Sequence, residues 1–427
     1  MSKRFTVAVV LSLLGSVAVA QVDDESIPQR TQLTLDDLRT FTEVFARVQR
    51  DYVEETHDRE LLENAIRGML SDLDPHTSFL NKEQYAALEE DTTGQYGGIG
   101  IEVLWIEGQL SVARVMPGTP AEKNDVRQGD RVLAVDGTPI ADLPQPTALG
   151  NVRGRPGTEV VLTIQTEGEE PRDVTLVREV IAVASVDARL LDDRYAVITI
   201  RSFQEDTAEE VSSELERLKA QAGRDLDGMV LDLRGNPGGV LGSAVGVSDL
   251  FLEEGLIVYT KGRSTEAQLS FSAGPQDELS GAPIIVLVDD TTASASEIVA
   301  GALQDHGRAV VLGTQTFGKG SVQSVVPLYN GGAIKLTTAR YYTPNGRSIQ
   351  AAGIQPDIDI SGDSFAAVGD QGTREIDLDG HLPGDAEPSQ AADMHGLAGE
   401  DYALYRALSL LRGHTILGRL DRSRTED

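Results

Sequence analysis

Two serines and a lysine are the side chains whose surroundings in this sequence would make them reactive. Residues 284–323 read IIVLVDDTTASASEIVAGALQDHGRAVVLGTQTFGKGSVQ. The apolar run Ile284–Val288 has the length of a buried strand, residues 289–292 are turn formers, and residues 297–303 carry apolar side chains at helical spacing. Ser294 and Ser296 therefore stand where a strand becomes a helix. The first amides of a helix have no intrahelical partner and carry the positive end of its dipole. A serine in front of them can attack a carbonyl while they hold the oxyanion that forms. The same residues also suit a helix cap, with Glu297 completing a capping box from Ser294. The stretch taken alone favours the cap.

The second reactive group lies in Phe317-Gly318-Lys319-Gly320-Ser321-Val322-Gln323. A lysine between two glycines has little local cover, yet it follows the apolar strand 309–312, which could keep its amine partly dry. Burial without a counter-charge disfavours the ammonium and lowers the lysine pKa, as a general base for serine requires. A phosphate-binding glycine loop is the competing reading, but residues 314–321 lack the G-x-x-x-x-G-K-[ST] spacing.

Taken together, these segments resemble the carboxyl-terminal processing proteases, the tail-specific serine peptidases of the S41 type. The family's serine in S-A-S-A-S-E, lysine in F-G-K-G and glutamine four residues later match Ser294, Lys319 and Gln323. The first serine of the usual pattern is Thr292 here. The resemblance implies Ser294 as nucleophile rather than Ser296, Lys319 as base and Gln323 as the residue that orients the amine. It also places an oxyanion-hole amide in Arg234-Gly235-Asn236-Pro237-Gly238-Gly239, assigned to Gly238 or Gly239, with the Ala295 amide as partner. A glycine pair just past the strand at 228–233 lets backbone N–H groups approach a ligand closely. No metal or organic cofactor is called for.

The elements that must position these groups follow from the pattern of strands and helices. Strands alternate with helices through residues 195–312, including helices at 207–222 and 243–251, which argues an α/β core with a parallel or mixed sheet. Asn330-Gly331-Gly332 between apolar runs reads as a hairpin. Short strands and turn signals crowd residues 85–180, a small β-rich module. Its order resembles the PDZ domain of the same proteases, and that implies capture of a substrate's free C-terminus. Gly98, Ile99, Gly100 and Ile101, glycines running into a strand, are the expected peptide-binding segment. Arg153, in a turn with Arg155, corresponds to the arginine that senses PDZ position in relatives.

The expected fold class is thus a multidomain α/β protein: a ClpP/crotonase-like protease core with an inserted PDZ domain and helical termini. The boundaries read 1–20 signal peptide, 21–84 helical region, 85–180 PDZ domain, 181–360 catalytic domain, 361–397 acidic linker and 398–427 terminal helix. A helix from Leu35 carries an apolar stripe of Leu35, Leu38, Phe41, Val44, Phe45 and Val48 behind Thr34, and a second follows at 60–70. His76, in Leu73-Asp74-Pro75-His76-Thr77-Ser78-Phe79-Leu80, is read as part of a structural turn. The last helix, from Asp401, has Tyr402, Leu404, Tyr405, Leu408 and Leu411 on one stripe, which needs its own body or another subunit as partner.

Composition removes other functions. A chain of 427 residues exceeds one ordinary core, and a net charge of -31 opposes binding to nucleic acid. Absence of cysteine excludes thiol catalysis, cysteine-bound zinc and disulfides. Lys3 and Arg4, an apolar run at 5–14 and Ala18-Val19-Ala20 read as an export signal cleaved after Ala20; an uncleaved inner-membrane anchor is the alternative. The expected protein is a periplasmic endopeptidase, with protein C-termini as substrates, an adaptor protein as a further partner and self-association through the terminal helices. Its rivals are a non-catalytic PDZ scaffold and a Ser/His/Asp hydrolase using His306. His306 lies twelve residues beyond Ser294 on the same helix, roughly 18 Å away and out of proton-transfer range.

Overall fold

The computed structural model describes residues 33–106, 108–362 and 394–425. The expected export signal falls outside them, as does most of the expected acidic linker. The described residues form two compact units that divide between Gly68 and Met69. In the first, the Thr34 side chain accepts from the Asp37 amide while the Asp37 carboxylate takes the Thr34 amide, and this box opens helix Leu35–Asp51. The helix buries none of its residues: Leu35, Leu38, Phe41 and Val44 are all exposed. Helix Asp58–Ser71 follows. Among the described residues, no helix is long and apolar enough to cross a membrane.

The second unit is built on a six-stranded sheet in the order Val186–Leu191, Tyr195–Ile200, Gly228–Asp232, Ile284–Val288, Ala309–Gly313 and Ile358–Asp359. Its first pair is antiparallel and the rest parallel. Parallel strands are covered on both faces, which is why Ile284–Val288 is continuously apolar and wholly buried. Ile284, Val286 and Val288 point to the core shared with helices Thr207–Ala222, Leu241–Asp249 and Ala295–Asp305. Ile285 and Leu287 point to the other side, where Leu404, Ala407, Leu408 and Leu411 of the terminal helix lie on them. The stripe of that helix thus finds its partner in its own chain.

A second, antiparallel sheet holds Ser78–Leu80, Ala333–Tyr342, Leu256–Gly262 and Ser270–Ser272, with Ser321–Pro327 also paired to Ala333–Tyr342. The β-rich module has a separate core of Leu110, Val112, Leu162, Ile164 and Leu176 under five strands. Its strand Ile101–Ile106 lies at the sheet edge.

Three elements differ from expectation. Helix Lys82–Thr93, boxed by Asn81 and Gln84, runs across the expected junction at 84/85. Its apolar residues are too sparse for a periodic signal. Helix Met394–Glu400 starts inside the segment read as linker. The terminal helix runs from Tyr402 to Thr425, well beyond the apolar stripe that ends at Leu411, because a helix already nucleated on the sheet continues at little cost.

Candidate active site

The strand Ile284–Val288 ends in a turn organised by Asp289. Its carboxylate accepts from the Gly235 amide (3.1 Å), the Thr291 amide and hydroxyl (3.0 and 2.7 Å) and the Thr292 amide (2.9 Å). Burial pushes the Asp289 carboxyl up, but these hydrogen bonds outweigh it and hold it below the usual range. The Thr292 hydroxyl donates to the Leu233 carbonyl at 2.9 Å, so a threonine serves here as a serine would. The turn and the glycine loop after Gly228–Asp232 are thereby tied together.

Ser294 follows with φ 57° and ψ -113°, a left-handed conformation costly for a residue with a Cβ. Such strain persists only where surrounding bonds enforce it, and it clusters at functional sites. The enforcing group is Glu297, which is fully buried. Its carboxylate accepts from the Ser294 amide (2.7 Å), the Thr316 hydroxyl (2.5 Å), the Gly318 amide (2.7 Å) and the Lys319 amide (2.9 Å). One side chain therefore fixes the backbones of both Ser294 and Lys319. The sequence marked Glu297 only as part of a cap; its grip on the distant lysine loop arises in the tertiary structure. Ser296 is buried and donates to the Asn236 carbonyl at 3.2 Å, a structural role.

Ser294, Lys319 and Gln323 open on one cavity of about 760 Å³. The serine follows the turn after a parallel-sheet strand, Lys319 lies in the loop leading into the antiparallel strand Ser321–Pro327, and Gln323 lies on that strand. Lys319 is half-buried; burial chiefly, and the Lys335 ammonium next, push its amine below the ordinary lysine value, against the opposing pull of Glu297. The apolar walls are Phe203, Leu241, Val322 and Tyr341 rather than the strand Ala309–Gly313. Tyr341 is buried, and burial pushes its phenol pKa up to about 12 against a smaller, lowering influence of the Ser294 hydroxyl. Among the described residues no hydrogen bond joins Lys319 Nζ to Ser294 or to Gln323. The Gln323 amide nitrogen instead donates to Ser321 Oγ at 2.9 Å and Thr337 Oγ1 at 3.4 Å. Lys335 and Thr337 drew no attention in the sequence, yet with Tyr341 they share the alternate positions of one strand, a spacing that would have placed them on one face.

Gly238 packs directly on Ser294: a Cβ there would meet the Ser294 Cβ at 2.8 Å. The Gly238 amide donates to Asn236 Oδ1 at 2.9 Å. The Gly239 and Ala295 amides have no hydrogen-bond partner among the described residues.

A groove of about 720 Å³ in the β-rich module is lined by Gly98, Ile99, Gly100 and Ile101, with Met116 and Leu149 opposite. It runs beside the edge strand. Arg153 lines both this groove and the serine cavity. Its guanidinium lies 4.4 Å from the Tyr96 ring centroid and 3.4 Å from the Glu90 carboxylate. His76 feels Lys319 and Lys335: burial first, then those charges, push its imidazole down against the pull of Asp74. His306 caps the far end of helix Ala295–Asp305 and binds the Leu256 carbonyl through Nε2 at 2.7 Å, away from the cavity.

Known proteins bear on this geometry. The profile described as peptidase family S41 matches residues 194–360, that of the PDZ domain residues 97–176, and that of the activating protease CtpB N-terminal domain residues 7–84. A carboxy-terminal-processing protease of Bartonella bacilliformis is 40% identical over 391 residues, 90% of each chain. A carboxyl-terminal-processing protease of Synechocystis is 39% identical over 308 residues, 70% of this chain and 71% of that one. The solved photosystem II D1 C-terminal processing protease is 29% identical, with a TM-score of 0.44 over 76% of this chain and 93% of that one.

Proposed function

Because the chain belongs to peptidase family S41 and carries the family's PDZ domain, we propose that it is an exported endopeptidase that holds a substrate by its C-terminus and cleaves with a Ser294/Lys319 dyad. The observation that carries this reading is the strained Ser294 opening on the same cavity as a half-buried lysine whose pKa is depressed. A substrate's last residues add as a strand beside Ile101–Ile106, with the terminal carboxylate at 98–100. The preceding chain enters the serine cavity.

In the reaction, the neutral Lys319 amine takes the Ser294 proton as Oγ attacks the scissile carbonyl. The Gly239 and Ala295 amides stabilise the tetrahedral oxyanion; Gly238 could serve only by leaving Asn236. The lysine, now an ammonium, protonates the leaving amine, and the acyl-enzyme is hydrolysed by water with the same base. Gln323 accepts a hydrogen from the amine and aims its lone pair at Ser294. For the first step Lys319 Nζ must come within hydrogen-bond reach of the Ser294 hydroxyl, a bond not present among the described residues, so the arrangement described suits a resting enzyme. Arg153, reaching both cavities, is the natural gate, moved by substrate or an adaptor protein. The exposed stripe of helix Leu35–Asp51 supports self-association at the N-terminal end, and the cleavable segment ending at Ala20 supports a periplasmic location.

Wild type, Ser294→Ala and Lys319→Ala are to be incubated with an unfolded protein ending in apolar residues, and the products read by mass spectrometry. Wild type cleaves, and each variant loses at least about 10²–10⁴-fold in rate, the worth of a positioned base. Undiminished cleavage by Lys319→Ala would refute the dyad. No cleavage by wild type, even with partners added, would favour a scaffold.

A further inference from the structure

The turn Leu73-Asp74-Pro75-His76-Thr77 has no part in the chemistry described so far, yet it is bolted to the strand behind Gln323. Asp74 Oδ1 accepts from the His76 amide (2.8 Å) and the Thr77 amide (3.0 Å), and Oδ2 accepts from the Thr77 hydroxyl (2.7 Å). The Thr77 oxygen in turn accepts from the Thr337 amide at 3.1 Å. The Thr337 hydroxyl donates to Asp74 Oδ1 at 3.1 Å. Gln323 and Thr337 are direct cross-strand partners, immediately after a bulge between Val322 and Gln323 that re-aims the glutamine.

A hydroxyl has one proton, and a carboxylate can only accept. With that proton spent on Asp74, the Thr337 oxygen can offer Gln323 only a lone pair. The amide must therefore present Nε2 to Thr337, as it does at 3.4 Å, and its Oε1 faces the other way. Ser321, which can donate or accept, does not discriminate between the two ends. The choice matters to a neutral lysine amine, which has a single lone pair. A Gln323 carbonyl accepts an amine hydrogen and leaves that lone pair for Ser294. A flipped amide would donate N–H to the lone pair and compete with the serine for it.

We propose that Asp74, through the Thr337 hydroxyl, is a positioning residue that fixes the orientation of the Gln323 amide and so keeps the Lys319 lone pair free for Ser294. This rests on the dyad reading. Burial pushes the Asp74 carboxyl up, but the hydrogen bonds from Thr77, His76 and Thr337 outweigh it, so the group stays an acceptor at working pH.

The test is a double-mutant cycle on the full chain, with kcat and KM measured on one peptide substrate and folding followed by thermal melting. Thr337→Val lowers kcat by about ten- to a hundredfold at unchanged KM, the scale of a misplaced catalytic group. Thr337→Ser recovers most of the loss. Asp74→Ala removes the acceptor of the Thr337 proton, which is then free to turn the amide, and it also loses kcat; it carries the test if the valine variant does not fold. In a Gln323→Ala background neither substitution has any further effect. Wild-type kcat in both Thr337→Val and Asp74→Ala, or losses that persist undiminished without Gln323, would overturn the relay while leaving the dyad standing. Full cleavage by Lys319→Ala would overturn both.

Discussion

The proposed base, Lys319, depends on a balance of charges around one amine. Lys319 is faced by Lys335 and Tyr341 from one strand, His76 from the neighbouring turn and Glu297 from the helix. A base works only when neutral, so activity is lost as pH falls through its pKa and is full above it. Since burial and Lys335 lower that pKa, the acid limb of a kcat/KM profile lies below the ~10.4 of a free lysine. Lys335→Gln removes one of the lowering influences, and the limb moves to higher pH; Lys335→Arg restores it. A limb unmoved by Lys335→Gln would show that burial alone sets the base. The residue pattern singled out the serine junction and the glycine-flanked Lys319, while the choice of Ser294 over Ser296 and the role expected of Gln323 came from the family resemblance. Neither supplied the Glu297 bonds to Gly318 and Lys319, since those depend on a loop more than twenty residues away folding back.

The elements divide the chemistry between two sheets, and a third element lies where they can be regulated. Helix Lys82–Thr93 supplies Leu88, Glu90 and Asp91 to the wall of the serine cavity, and its Glu90 holds Arg153, which also lines the peptide groove. Under the gating proposal this pair belongs to the resting arrangement. Both side chains are substantially exposed, so the pair is worth only ~0.2–1 kcal/mol. Glu90→Gln therefore raises basal cleavage of short peptides lacking an apolar C-terminus by at most about fivefold. Arg153→Ala removes stimulation by a groove-binding peptide. Unchanged basal rate in the first together with full stimulation in the second would exclude this pair from the gate. The helix escaped the sequence pattern because only a short run of it is apolar, whereas Thr207–Ala222, with Val211, Leu215 and Leu218 buried on one side, was plain.

For the whole molecule, the C-terminal helix closes one face of the central sheet. It also returns Asp401 to Arg234, which binds Asp232 at 2.6 Å and Asp401 at 2.8 Å. Asp232 first, then Asp401, raise the arginine pKa against the opposing effect of burial. Gly238 and Gly239 lie just beyond this anchored arginine, so the chain's end braces the loop that faces Ser294. Leu408→Ala would leave a cavity over Ile285 and Leu287 and is expected to destabilise the protein by about 2–5 kcal/mol. Urea unfolding measures this, and a change below about 0.5 kcal/mol would mean the helix is not held there in solution.

Sequence alone determined the strand-to-helix junction at Ser294, the glycine-flanked lysine, the α/β alternation and the β-rich module. Each is written in short-range spacing, where apolar period and turn chemistry act over a few residues. Tertiary structure alone decided that Lys319 is half-buried in a cavity also lined by Phe203, Leu241, Val322 and Tyr341, that Glu297 ties Ser294 to Lys319, and that Asp74 stands behind Gln323. Those arrangements join residues far apart in the chain, and no local pattern encodes which distant hydrogen-bond donors a buried carboxylate will meet.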